Sequence, residues 1–446
     1  MKKISKILLV FVVVALVLPA MWGCTDRSRE LRVFNWDYFM HPEVFGLFEE
    51  YMLEHHGERV RVRATSFLSN EGAYREIAEN RRDRDIVVPS DYMVARLRAG
   101  GYIQRLDAGI IASELAIHQE LGQVSGTDFR ALLRDYIYTG ANTFDEGLLY
   151  SVPFLWGTLG IMFNRNTYAP DRVPGSAVYS WNHLFEPAGN VFMKEDQVRD
   201  NYTAAMLYSF SAELRHRSEN LTNFSNSAYI ELMEAIFNNF EAGPNSFWNT
   251  ADFTHHVNFA DPFEHATIVL RALRNRPNTT VYWEMDQAMF DMQSERLHVN
   301  AHLGLAWSTD AGFVMNENPY APVADMLYYV VPEEGSNLWI NNLVIPARAG
   351  NPRLANKFIA FSLREDIAKL NTLSTGSPAA NQEAMIELED YLRNDSNRFD
   401  GTSAGFKDML LGVMFPEDSV MERLFIMSDF GARFHAANIM WTNVMA

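Results

Sequence analysis

Trp36-Asp37-Tyr38 sets a carboxylate between two aromatic rings. The combination returns as Asp91-Tyr92, as Trp307 three residues before Asp310, and with a further indole at Trp339. An indole face beside a carboxylate suits a cation, because the ring quadrupole and the anion attract it together. The plainer reading of each cluster is a core aromatic next to a helix-capping Asp, and Trp36–Tyr38 taken alone fits both. What favours binding is position, since each cluster lies at an end of a short apolar β-run. Leu31–Tyr38 (LRVFNWDY) is such a run. His41-Pro42-Glu43 then opens a helix, with Pro42 in the first turn, where a missing N–H costs nothing. Open α/β sheets place their ligands beyond the carboxyl ends of strands.

Other chemistries find less support. His55-His56 and His255-His256 invite a metal reading, but adjacent side chains diverge on a helix and oppose one another on a strand. Each pair therefore offers one ligand easily, and solvated surface histidines are the expectation. No HExxH spacing, glycine-rich phosphate loop or GxSxG elbow occurs. Carboxylate pairs are too common in so acidic a chain to mark an acid–base centre. The residues read as a binding protein, not an enzyme, with no cofactor and no metal.

The elements that must hold these clusters alternate through the first third. Val44, Phe45, Phe48, Tyr51 and Met52 recur at helical spacing up to His55-His56-Gly57. Val60 and Val62 alternate with arginines as a half-buried strand, Ser69-Asn70-Glu71 opens a helix, and Asp85–Ser90 is a compact buried strand. This βαβα order predicts a mainly parallel sheet. Later strands are expected in Tyr150–Asn164, Asn190–Met193, Leu303–Trp307, Leu327–Pro332 and Trp339–Pro346. A helix is expected from Asn351-Pro352 to Ser374-Thr375-Gly376. Tyr150–Asn164 reads as the passage from one lobe to the next. Ser211–Val257 is rich in Asn and Phe, with weak periodicity.

At the N-terminus, Lys2, Lys3 and Lys6 precede the apolar run Ile7–Pro19, and Cys24 follows as the single cysteine of the chain. That order reads as a secretory signal, with Cys24 resembling the lipid-carrying first residue of a bacterial lipoprotein. Met21 and Trp22 depart from the usual Leu and small residue before that cysteine. One cysteine excludes an intramolecular disulfide. Without residues 1–24 the chain holds 35 basic and 56 acidic residues, a net charge of −21. Such a surface argues against nucleic acid and against anionic substrates drawn from a distance. After Cys24 no apolar run reaches transmembrane length, which leaves an N-terminal lipid as the membrane contact.

An ordered series of segments resembles the spermidine/putrescine-binding proteins of bacterial ABC importers. These are NWDYF, SNEGAYREI, DIVVPSDYMVARLRAGGYIQRLD, YSVPFLWGTLGIMFN, SWNHLFEP, LGLAW, WINNLVIPARAGNP and FSLREDIAKLNTLSTGSP, spread from Leu31 to about Asn381. The resemblance implies an α/β, two-lobed periplasmic-binding-protein fold with a hinge and an interlobe ligand cleft. The expected division is residues 28–142 plus 336–377 in one lobe and 143–335 plus 378–446 in the other, with an extra region at about 211–257. It also implies a polyamine or related small cation as ligand and an ABC importer permease as partner.

Carried over residue by residue, Trp36, Ser90, Tyr92, Trp307 and Trp339 match ligand-contacting types in that family, and Asp200 stands where the family has Glu. The departures bear on the ligand. Asp37 lies one place before the family's carboxylate position, which Tyr38 fills. Asn341 replaces an amine-gripping Asp, Ser377 replaces a Tyr, and Met427 replaces a Gln. An unpaired ammonium buried in a cleft costs several kcal/mol, so Asp310 or Asp196 is expected to supply the missing charge. Two alternatives stay open: a less charged ligand (amino acid, small amine or sugar), or a sensory or adhesion lipoprotein that has left transport.

Overall fold

The computed structural model describes residues 27–79, 81–128, 131–133, 150–165, 168, 179–187, 189–195, 197–218, 227–284, 292, 301–317, 327–395 and 404–446. The signal segment and Cys24 lie outside them. Ten strands follow in chain order: β1 (Glu30–Trp36), β2 (Arg61–Phe67), β3 (Ile86–Val87), β4 (Ser151–Asn164), β5 (Val191–Lys194), β6 (Val281–Glu284), β7 (Leu303–Trp307), β8 (Leu327–Val330), β9 (Ser336–Val344) and β10 (Leu424–Phe425). They join in the order β2-β1-β3-β9-β4-β7-β5-β6, with β10 beside β9 and β8 beside β4.

The expected parallel pairing holds for β2-β1-β3. Beyond β3 the sheet becomes mixed, because β9 returns antiparallel to β3 and β4 runs antiparallel to β9, β7 and β8. β4 divides its partners along its length. Ser151–Thr158 pairs with β9, and Leu159–Asn164 pairs with β7 and β8. All fourteen of its residues are buried, as its long apolar run requires of a strand covered on both faces.

Local signals set the flanking helices. Glu43–His56 stops at Gly57, whose φ of 64° few other residues adopt without strain. Asn70–Ala78 starts where the Ser69 hydroxyl accepts from the Gly72 N–H. Two expectations change in the structure. The single helix over 351–376 is two, Pro352–Ser362 and Glu365–Thr375. The break falls at Leu363–Arg364, where Arg364 is extended and the Glu365 N–H donates to the Gln123 carbonyl instead of continuing the helix. The strand expected over Asp85–Ser90 is regular only at Ile86–Val87.

Among the described residues, three buried apolar clusters form the core. One gathers Phe34, Phe67, Val87, Val94 and Leu97 around β1–β3. The largest runs from Leu31 through β4 and the 352–375 helices to Phe415. The third packs Phe163, Tyr202, Trp248, Leu303 and Trp441.

The described part of the difficult region 211–257 belongs to this third core, as helices Ser211–Ser218, Ser227–Asn238 and Phe247–Thr250 with Leu214, Tyr229, Met233 and Trp248 buried. Ser227–Asn238 buries Tyr229, Leu232, Met233, Ile236 and Phe237 on one face, while the helices beside it are too short to show a period. Two buried carboxylates tie it down. Glu213 accepts from Arg217 Nε at 2.7 Å and from the N–H groups of Thr254 and His255. Glu334, beside β9, takes Arg215 Nη1 at 2.5 Å and the Trp181 N–H at 3.3 Å. Arg215→Met leaves the buried Glu334 carboxylate without its cation. Urea denaturation should register a loss of roughly 3 kcal/mol, the low end for a broken buried pair because Arg215 reaches solvent. An unchanged unfolding midpoint would remove Glu334–Arg215 from the forces that hold this region.

Candidate functional site

A cavity of about 320 Å³ opens where β1, the start of the Asp91–Ala99 helix with its cap Ser90, the Val198–Ser209 helix, β7, β9 and the Phe430–Asn438 segment converge. Trp36 ends β1, and its ring packs at 4.7 Å on Phe67 at the end of the neighbouring β2. Trp339 stands on β9 opposite Gly157 of β4 and meets Phe39 at 6.1 Å. Gly157 is glycine for a reason: a methyl there would overlap the Trp339 indole and the Ser308 hydroxyl. Trp307 ends β7, paired with Leu159 of β4.

Of the residues expected from sequence, Trp36, Asp37, Ser90, Tyr92, Asp200, Trp307, Asp310, Trp339 and Asn341 all line this cavity. Tyr38 does not. Its backbone turns at φ 55° and its side chain is 83% exposed, between two lining residues but outside the wall they form. Ser377 is fully buried behind the wall, where its hydroxyl meets that of the lining Thr309. Met427 is buried as well, its sulfur accepting from the Thr203 hydroxyl. Asp196 lies outside the described residues.

The charges are arranged differently from expectation. Asp310 already has a cation, since Lys194 Nζ reaches Asp310 Oδ2 at 2.5 Å and sits 4.2 Å over the Trp307 ring. Lys194, at the end of β5, has no solvent exposure. Arg199 lies with its guanidinium carbon 3.7 Å from the Tyr92 ring centre, and donates to the carbonyls of Met427 and Ser428 at 2.7 Å each. Asp91 is spent on backbone, accepting from the N–H of Tyr92 at 2.6 Å and of Ile340 at 3.0 Å. Glu71 accepts from the Tyr92 hydroxyl at 3.1 Å.

Asp200 accepts from the Trp307 indole N–H at 2.9 Å. Burial pushes the Asp200 carboxyl up to about 6 against the opposing pull of Arg199, Lys194 and that N–H. Burial does the same to Asp91, again to about 6. Lys194 and Arg199 gave no signal in the sequence, because their partners Asp310 and Tyr92 lie more than a hundred residues away in the chain.

The histidine pairs take no part. His55 and His255 face solvent, while His56 bonds Glu114 at 2.8 Å and His256 packs on Phe210, both half-buried where surface positions were expected. Among the described residues, no group of three or more His, Cys, Asp or Glu is placed to hold a metal. No described helix is long and apolar enough to cross a membrane.

Comparison with known proteins bears on this geometry. A model of the family described as bacterial extracellular solute-binding protein matches residues 47–391. The chain belongs to that family. It is 25% identical over 402 residues to the spermidine/putrescine-binding periplasmic protein of Escherichia coli, covering 90% of each chain. It is 21% identical over 451 residues to a putrescine-binding periplasmic protein of Pseudomonas aeruginosa, covering 100% of this chain and 99% of that one. Among solved structures, the spermidine/putrescine ABC transporter substrate-binding protein of Streptococcus pneumoniae superposes with a TM-score of 0.59 at 21% identity, over 94% of this chain and 99% of that one. A binding protein of Agrobacterium tumefaciens in complex with glucopine superposes at 0.54 and 14% identity, over 94% and 100%. The fold is the two-lobed periplasmic-binding-protein fold, and these relatives are solute-binding proteins, not enzymes.

Two predictions test the site's construction. Asp91 and Asp200 titrate higher in the folded protein than the ordinary carboxylate near 3.8. Their contribution to stability is therefore complete below that value and is lost as pH rises through about 6. Asp200→Asn should flatten the decline of the unliganded protein's melting temperature between pH 4 and 7, and a decline as steep as wild type contradicts the assignment. Gly157→Ala should drive the Trp339 indole from its seat, costing about 1–3 kcal/mol and altering the near-ultraviolet circular dichroism. A spectrum identical to wild type would show that the indole does not depend on this contact.

Proposed function

We propose that this chain is an extracytoplasmic receptor that captures a polyamine-type cation between its lobes and delivers it to an ABC permease, held at the membrane by lipid on Cys24. The observation that carries the reading is the Asp200 carboxylate against Trp307, inside a cavity walled also by Trp36, Tyr92 and Trp339. Indole and phenol faces cover methylenes and attract ammonium groups, and a buried carboxylate supplies the countercharge. The names of the curated relatives support the same ligand class. The lobes would comprise residues 28–142 plus 336–377 and 143–335 plus 378–446, closing about the strands that pass between them. A second reading, a ligand of lower charge, draws on two features: the Asn341 carboxamide in the wall and the Lys194 ammonium already paired with Asp310.

Calorimetry on the chain from Thr25, unfolded and refolded to strip carried ligand, separates the two. Spermidine and putrescine should bind with micromolar or tighter affinity that weakens with salt. Trp36→Ala and Trp339→Ala should each lose at least several-fold while remaining folded. Unchanged affinity in both variants would falsify the aromatic box. No heat from either polyamine would move the ligand to the less charged class.

A further inference from the structure

One wall of the cleft has its hydrogen-bonding sense fixed by a chain of three side chains. The Ser90 N–H donates to Asn70 Oδ1 at 3.1 Å, which leaves the Asn70 amide nitrogen to donate to Ser90 Oγ at 3.0 Å. Ser90, having accepted there, spends its one proton on Asn341 Oδ1 at 2.8 Å. With the Ser90 proton placed on its oxygen, the Asn341 carboxamide keeps its NH₂ for the cavity it lines. Among the described residues, that nitrogen makes no hydrogen bond. This wall presents a donor. An ammonium group, which can only donate, finds nothing to pair with there.

Of the remaining lining acids, Asp37 is exposed and the others are already bonded. Asp91 is bonded to two backbone N–H groups, Asp310 to Lys194, and Glu71 to the Tyr92 hydroxyl. Asp200 has one oxygen on the Trp307 N–H, leaving its other oxygen for an ammonium ligand. The terminal nitrogens of Arg199 already donate to two carbonyls. A ligand carboxylate would therefore meet Asp37, Glu71 and Asp91 against one lining guanidinium, that of Arg199. That leaves a neutral acceptor as the complement of the Asn341 NH₂.

We infer that the preferred ligand carries one ammonium, for Asp200, and a neutral acceptor, an amide carbonyl or hydroxyl, for Asn341: a mono-N-acylated diamine or an amino alcohol. This rests on the cleft being the ligand site, as proposed above, and narrows the ligand within it.

The test is calorimetry with putrescine, N-acetylputrescine and 4-aminobutyrate on wild type, Asn341→Asp and Ser90→Ala. N-acetylputrescine should bind wild type at least tenfold more tightly than either of the others. Asn341→Asp, which replaces the donor with a carboxylate, should shift the ratio at least tenfold toward putrescine. Ser90→Ala frees the Asn341 carboxamide to turn over and should also narrow the ratio, so the inference stays exposed if Asn341→Asp does not fold. Putrescine binding wild type as tightly as its acetylated form overturns the inference and leaves the polyamine receptor standing. Tightest binding by 4-aminobutyrate overturns the neutral acceptor. No binding by any of the three removes both the inference and the reading beneath it.

Discussion

The antiparallel ladder between β4 and β9 is the constraint on which the rest of the molecule depends. It runs in register from Ser151 opposite Val344 to Thr158 opposite Leu338, with one irregularity between Pro153 and Leu155. Through β9 it joins the β2-β1-β3 group, and through the second half of β4 it joins β7. Because side chains alternate along a strand, the ladder places Trp339 and Asn341 on one face of β9. The absence of a side chain at Gly157 gives the first of them its seat. A slip of one residue would turn both away. The buried Asn342 carboxamide, which bonds the Ile340 carbonyl while its backbone N–H holds the Pro89 carbonyl, opposes such a slip at the same place.

Part of the charge inside the cleft is balanced by the protein itself, through Lys194 on Asp310. A fully buried ammonium such as that of Lys194 survives because a carboxylate and an aromatic face compensate its lost hydration together. That pairing fixes Trp307 between Lys194 on its face and Asp200 on its N–H. The acidity of the chain as a whole, −18 for all 446 residues, therefore says little about the field a ligand meets. Long-range attraction can raise the rate of encounter with a cation, but affinity is set by which acceptors remain unpaired after the protein has satisfied its own donors.

The aromatic half of the site was legible in the sequence because it obeys local rules. Trp36, Tyr92 and Trp307 stand where β-runs end, and the turn residues after them mark those ends. The cationic half was not legible. Lys194 follows the strand expected over Asn190–Met193 and Arg199 precedes Asp200, and only tertiary pairing gives either one meaning. Tyr38 was misplaced for a different reason. Alternation along β1 cannot anticipate a positive φ just past the strand, which is what turns the ring outward. The helix break at Leu363–Arg364 leaves no mark in the sequence because the apolar spacing of Leu354, Phe358, Phe361 and Ile367 continues across it, and its cause, the Gln123 carbonyl, comes from a distant loop.

The contacts that hold the cleft shut are modest, and that has a consequence for how closure works. The helix Asp91–Ala99 packs on the β1–β3 core, whereas Arg199, Phe430 and Phe434 pack with the third core. Between them run the Arg96–Asp429 ion pair, Arg96 at 4.4 Å over Phe434, and Arg199 over Tyr92. Arg96 and Asp429 are 16% and 18% exposed, so their pair exceeds the roughly 1 kcal/mol of a surface ion pair, and each cation–π contact adds about 0.5–2 kcal/mol. Their sum is a few kcal/mol, against which stands the cost of drying the cleft wall with no ligand to cover it. Such a balance leaves the two arrangements close in free energy, and on the reading proposed above a ligand that touched Trp36, Asp200 and Trp339 together would bind only the closed one. Differential affinity of that kind is what lets a small molecule set the population of the closed form. The protein's own bridging contacts are then strong enough to define the closed geometry and too weak to impose it.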